Sequence, residues 1–340
     1  MAMVDRTTDT GQLLERDAKA TLKVSWPMLL IGLCLLTSLV IYVIVHVGEM
    51  ERFAVLLSRA NPNWLVLAFV LQAATYVCAG VVWHEVTRPH TRRVAVRALI
   101  RLSIEQLSIN QIVPTGGVSG GFLVFQAMRR LGLPRWLATE ALIAEMISGY
   151  IAYAVVAILA FAFLLLMGRV TIVLCYLLAA FVLGVLVIVA AIVWLLMRKD
   201  RRLPKWLGRF KPVFQLYETA RHASVDRILG RRLLTITTAI NVVIFLLDGT
   251  TLWAMMHVAG APIGIPSAFV AIVIGFVAGT VSFLPGGIGS FEAGCVATLA
   301  LLGSPFEAAL AGTLLLRGLT LWIPLLPGLM LARQDVKITV

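Results

Sequence analysis

The sequence predicts an all-α polytopic membrane protein arranged as an inverted duplication, each half carrying three full spans and one re-entrant Pro-Gly-Gly hairpin. Three observations carry that expectation. Hydrophobic residues make up 60% of the 340 positions and charged residues only 14%, with a mean hydropathy of +0.95, whereas soluble domains carry about 25% charged residues. Apolar runs or near-runs long enough to cross a bilayer, about 18 residues or more, lie in Trp26–Val45, Trp64–Trp83, Ile147–Met167, Val170–Met197, Leu233–Met256, Ser267–Leu284 and Ala308–Leu331. Finally, two stretches repeat one another at a constant offset: Pro114 and Pro285, Gly132 and Gly303, and Pro134 and Pro305 each stand 171 residues apart, about half the chain. Paired Gly/Pro-interrupted apolar segments at corresponding places in two halves are a sequence pointer to a transport site.

Taken in order, residues 1–25 are polar and mixed in charge, which predicts a cytoplasmic tail and not a cleavable leader. The first repeat, residues 26–167, holds the spans Trp26–Val47 and Trp64–Trp83, a hairpin over 94–134 that turns at Pro114–Gly117, and the helix Trp136–Met167. The second, residues 168–332, holds Val170–Met197, a basic connection over 198–232, Leu233–Met256, a hairpin over 267–302 and a last span from Ala308 to Leu331. Residues 333–340 form the other tail. Adding 171 to Trp64–Trp83 gives Thr235–Ala254, so the repeat extends beyond the Pro-Gly motif.

Basic residues set the orientation, because cytoplasmic connections are enriched in Lys and Arg. There are four in Met1–Ser25, five in His84–Arg101 and eleven in Arg198–Arg232, against two in Gly48–Asn63 and none in Ala259–Ile265. All the strongly basic connections fall on one side only if the segment Val94–Pro134 makes no net crossing. Such a hairpin is tolerated at membrane depth where its tip is buried in protein or lines a cavity. Three crossings plus a hairpin invert the second half, so the second hairpin enters from the outside and both termini are cytoplasmic. A parallel duplication, with both tips on one side, is the alternative.

The net charge of +12 reads as a topology signal and not as a nucleic-acid surface. Single cysteines at 34, 78, 175 and 295 have no metal-ligand spacing, and His46, His84, His90, His222 and His257 form no close pair, so no metal or cofactor is expected. Neither tip is followed by Gly-Lys-Ser/Thr, which removes an ATP-binding loop. The connection over 198–232, with Trp206, Phe210, Phe214 and Tyr217 among its basic residues, is expected to lie on anionic lipid or to serve as a topogenic loop.

Gly116 and Gly117 after Pro114, and Gly286, Gly287 and Gly289 after Pro285, permit left-handed backbone. Amides exposed there, with the N-terminus of the helix that follows, would suit an anionic headgroup, though the same residues also make a plain tight turn. Glu145, Asp248 and Arg317 are ionisable residues inside apolar segments, where each costs about 2.5–3.5 kcal/mol and usually serves function. Because 145 plus 171 is 316, beside Arg317, Glu145 is the first expected partner of Arg317 and Asp248 the second. A static buried pair is the other reading. Glu292 stands where the first copy has Gly121, and it would bind a cation or proton or cap its helix. Gly275 and Gly279 read as helix packing, and Arg101 with Glu105 as an i, i+4 pair.

The run Phe283 to Glu292, followed by Leu302-Gly303, Arg317-Gly318 and Trp322, resembles the second signature of a flippase-like integral membrane family. This is the family of the transmembrane region of bacterial lysylphosphatidylglycerol synthase. Ser108, Asn110, Pro114 and Glu145 are similar to its first Pro-Gly segment and the acidic helix after it, although Pro-Thr-Gly-Gly-Val-Ser-Gly-Gly has more small residues and no acid matching Glu292. In two-part members the resemblance implies a region that moves an aminoacylated phospholipid between leaflets while a soluble domain charges it. The present chain reads as a stand-alone member.

The expected function is therefore a lipid flippase of the bacterial inner membrane and not an enzyme, moving an anionic or modified lipid, whether a phospholipid or a polyisoprenoid- or hopanoid-type lipid. Its expected substrate contacts are Asn110, Pro114, Gly116, Gly117, Glu145, Asp248, Pro285, Gly286, Gly287, Gly289, Glu292 and Arg317. Alternatives are an enzyme that modifies a lipid-linked substrate with Glu145, Asp248 or Glu292 as acid or base, and a non-catalytic partner of a lipid synthase.

Overall fold

A computed structural model of the chain describes residues 61–88, 95–112, 118–197, 225–282 and 285–322. The first span, both tails, the first tip at Pro114–Gly117 and residues 198–224 of the basic connection lie outside the described residues. Within them every element is helical: α1 (Pro62–Thr87), α2 (Val96–Ile112), α3 (Val118–Arg130), α4 (Arg135–Leu166), α5 (Ile172–Met197), α6 (Val225–Ile228), α7 (Arg231–Val258), α8 (Ile265–Val281), α9 (Ser290–Leu301) and α10 (Phe306–Arg317). A 3-10 turn at Pro285–Gly287 joins α8 to α9, and a π-helical turn at Gly318–Trp322 continues α10.

Among the described residues, α1, α4, α5 and α7 are long and apolar enough to cross a membrane. Their faces match that environment: Phe69 and Val70 on α1, Ile158 and Leu159 on α4, and Ile172, Val173 and Leu183 on α5 are exposed. In water such faces would be costly; in lipid they are the solvated surface. The 32 residues of α4 span about 48 Å at 1.5 Å per residue, well beyond a hydrocarbon core of about 30 Å.

Element boundaries fall on the offset seen in the sequence. Helices α1 and α7 end at Thr87 and Val258, α3 and α9 at Arg130 and Leu301, and α4 and α10 begin at Arg135 and Phe306, each pair 171 residues apart. Helices α2 and α8 are both 17 residues long. The counterparts α1 and α7 form the most extensive helix pair, and they run antiparallel. Trp64 near the start of α1 meets Trp253 and His257 near the end of α7, with ring centroids 5.1 and 4.3 Å away, while mid-helix Thr75 meets Asp248.

Arginine-rich ends gather at one end of the bundle. A continuous apolar cluster joins Trp83 and Val86 of α1, Leu99 and Leu102 of α2, Val124 and Met128 of α3, Leu137 of α4 and Ile228 of α6. Around it stand Arg97, Arg101, Arg129, Arg130, Arg135 and Arg227. The opposite end of the α1–α7 pair carries the Trp64, Trp253 and His257 rings and the connection 259–264, which has no Lys or Arg. Tryptophan collects where membrane meets water.

Candidate functional site: two hairpins and a polar crossing

Helices α8 and α9 form a tight antiparallel hairpin because small residues line their contact. A Cβ placed on Gly275 would stand 3.1 Å from the Phe291 carbonyl oxygen, and one on Gly294 would stand 2.9 Å from the Ala278 Cβ. The small-residue pair at 275 and 279 is thus helix packing, as expected. At the tip, Gly286, Gly287 and Gly289 take φ of 57°, 64° and 83°, a region open to glycine at no steric cost. The turn is closed by Ser290 Oγ, which donates to the Gly287 carbonyl at 3.0 Å and meets Ser282 Oγ at 2.7 Å. This tip packs on α2, the helix expected to be the entering arm of the first hairpin.

Arg317 holds the same tip from α10. Its Nε donates to Glu292 Oε1 at 2.6 Å, its Nη2 donates to the Gly286 carbonyl at 2.6 Å, and its guanidinium lies 4.7 Å from the centre of the Phe291 ring. Both charged side chains are buried. This overturns the expected partnership: Arg317 meets Glu292, not Glu145 or Asp248. The reason is local, since α9 and α10 are consecutive helices whose packing brings 292 and 317 together without any help from the other half. Glu292 also accepts from the Gly289 N–H at 2.7 Å through Oε2, so it caps α9 as half of a capping box. One of the amides expected to face a headgroup is therefore satisfied within the chain.

Glu145 lies on α4, bonded to the Gln106 side chain of α2. Gln106 accepts in turn from Trp83 Nε1 of α1 at 3.1 Å, so an acid, an amide and an indole link three helices. Asp248 meets Thr75 Oγ1 at 3.4 Å. Among the described residues Glu145, Asp248 and Arg317 therefore have three separate partners and form no common ion-pair network. Asn110 falls in the last turn of α2 and Pro285 opens the 3-10 turn, whereas Pro114, Gly116 and Gly117 lie outside the described residues. The i, i+4 pair is present, with Arg101 Nε 2.8 Å from Glu105 Oε1.

Two features had no forecast. An aromatic ladder crosses the bundle from Phe181 through Tyr153, Phe245 and Phe276 to Phe291, with successive centroids 4.4 to 5.8 Å apart, and ends under Arg317. At the arginine-rich end, a cavity of about 370 Å³ is lined by Val86, Glu140, Ala144, Arg227 and Leu233 among others, with Arg227 Nη1 3.9 Å from Glu140 Oε2. Aromatic spacing across five helices cannot be read from one strand of sequence. Glu140, buried one turn into α4, was the available signal for the cavity. Among the described residues, no cluster of His, Cys, Asp and Glu could hold a metal ion.

The family model for the lysylphosphatidylglycerol synthase TM region matches residues 29–328. The chain belongs to that family. Among curated proteins none matches it. Membership ties this TM-region family protein to membrane lipid, and the match runs through both hairpins, the α1–α7 pair and the Glu292–Arg317 tip.

Proposed function

We propose that this TM-region family protein moves an anionic or modified lipid between the leaflets of the bacterial inner membrane, the headgroup passing between two re-entrant hairpins of an inverted duplication. The observation that carries the reading is the second hairpin itself. At 17 and 12 residues, its antiparallel helices reach about 25 and 18 Å, short of the roughly 30 Å hydrocarbon core, and their tip rests on α2 of the first hairpin. An apolar pair too short to cross must turn back inside the membrane, where irregular backbone is tolerated beside protein or a polar cavity.

Opposite insertion is supported by the antiparallel α1–α7 pair and by the charge at its two ends. The first hairpin opens among Arg97, Arg129 and Arg130, the second beside the uncharged connection 259–264. In this reading Glu145, Gln106 and Asp248 line the path, and Arg317 keeps the second tip in shape. Because Glu292 already occupies the α9 N-terminus, phosphate contact belongs to the first tip, where Gly121 stands at the matching position.

The test is a leaflet-resolved assay. Purified protein in vesicles of phosphatidylglycerol and phosphatidylethanolamine, with a headgroup-labelled trace lipid, is expected to expose inner-leaflet label to a membrane-impermeant quencher faster than empty vesicles do. Equal rates would remove the transport reading. Glu145→Gln is expected to slow exchange at least tenfold in folded protein.

A further inference from the structure

The α1–α7 crossing holds an acid whose hydrogen bonding can be counted. Thr75 Oγ1 lies 3.2 Å from the Leu71 carbonyl one turn back and 3.4 Å from Asp248 Oδ1. A hydroxyl has one hydrogen. The shorter, intrahelical contact is the habitual use of a helical threonine, so Thr75 donates to Asp248 Oδ1 at best through a long, shared hydrogen bond, little compensation for a buried negative charge. Asp248 is 9% exposed, Thr75 5% and Gln72 6%, and Asp248 has no cationic partner among the described residues. An ionised carboxylate there would be strongly unfavourable.

The surroundings of the acid are polar as well. Gln72, Thr75 and Tyr76 share one face of α1 at i, i+3 and i+4 spacing. Gln72 Oε1 and Tyr76 Oη are sealed from solvent, with the Gln72 side chain beside the Tyr76 hydroxyl. The positions 171 residues away, Val243, Leu246, Leu247 and Val77, are apolar, and Val243, Leu246 and Val77 are exposed on the outside of the bundle, so the buried polar cluster has no counterpart at the matched positions. Around Asp248, Tyr76 is the facing titratable group from α1. From α8, Phe269 packs on Gly249, from α10, Gly312 packs on Met256, and α4 offers the Ser148 carbonyl to Thr238. Glu145 and Arg317 are engaged with Gln106 and Glu292.

We propose that Asp248 is an exchangeable proton site, loaded in the observed arrangement, and that its protonation and deprotonation couple a proton gradient to lipid movement. Binding is the simple step of carboxylate plus proton giving carboxylic acid. Thr75 orients the acid, and Gln72 and Tyr76 stand on the same helix face to accept or donate when α1 and α7 shift. The coupling role rests on the transport reading, but the proton site does not.

Two measurements separate them. In vesicles with a pH difference of one unit, one proton per lipid would drive a leaflet ratio of up to about tenfold, and Asp248→Asn is expected to bring that ratio to one. An unchanged ratio in Asp248→Asn, no asymmetry in a wild type that moves lipid, or asymmetry driven by sodium instead would overturn the proposal. Infrared difference spectra of the full chain in lipid nanodiscs, taken between acid and alkaline pH, are expected to show a protonated-carboxyl band. That band should be absent in Asp248→Asn, present in Glu145→Gln, and moved to another pH in Thr75→Val. If wild type moves no lipid, transport fails and the band alone decides: its persistence in Asp248→Asn, or its absence from wild type, overturns the proton site.

Discussion

Arg317 donates to a carboxylate and to a tip carbonyl at once, so its two bonds fix α10, α9 and the turn before α9 as one unit. Arg317→Ala would leave Glu292 buried and unpaired, a loss of about 3–5 kcal/mol, and Glu292→Ala combined with Arg317→Ala is expected to lose less than Arg317→Ala alone. Arg317→Lys keeps the charge but not the planar fork, and its melting temperature in detergent is expected to fall between wild type and Arg317→Ala. Equal melting temperatures for all four proteins would show the pair to be idle. A second residue-level contrast sits in the turn: a Cβ at Gly287 would stand 3.0 Å from Gly279 Cα, whereas one at Gly289 meets nothing within 4 Å. Both have positive φ, with a left-handed cost of about 1–2 kcal/mol, so Gly287→Ala should be the less stable by thermal denaturation.

At the scale of elements, the first arm and the second tip touch while their open ends face opposite ends of the α1–α7 pair. Cysteine placed at Arg129 is expected to react with impermeant reagent only from the cytoplasmic side, and cysteine at Ala261 only from the outer side. Labelling of both from one side would favour the parallel duplication. The helical elements and where they break were legible in the sequence, because Gly and Pro mark turns whatever surrounds them, and three helix boundaries repeat on the 171-residue offset. The partner of Arg317 was not, since the offset speaks of symmetry-related positions and the pairing is made between neighbours in one hairpin. The signal was present in the exceptions: Glu292 and Arg317 match Gly121 and Met146, two charges lacking counterparts together.

For the molecule as a whole, the apolar exterior of α1, α4 and α5 and the arginine-rich end of the bundle describe a body held by lipid on its sides and by charge at one face. The basic connection over 198–232, most of it outside the described residues, carries eleven Lys and Arg, and each basic residue near an anionic surface contributes about 1 kcal/mol. Replacing Arg201, Arg202, Lys205 and Arg209 by Gln is expected to reduce co-purified anionic lipid and to slow exchange in phosphatidylglycerol-rich vesicles. Unaltered lipid content and rate would leave the segment a topogenic role only.

The Glu292–Arg317 bond also bears on how such chains diverge. Either charge alone is a buried ion without a counterion, so a lineage that loses one first passes through a protein that folds poorly, and one that loses both arrives at the neutral arrangement already present at Gly121 and Met146. Among relatives, positions 292 and 317 should therefore be inherited as a couple, both charged or both neutral, with mixed states rare. In an ancestor whose halves were identical, the couple was either gained once on one side or shed once on the other.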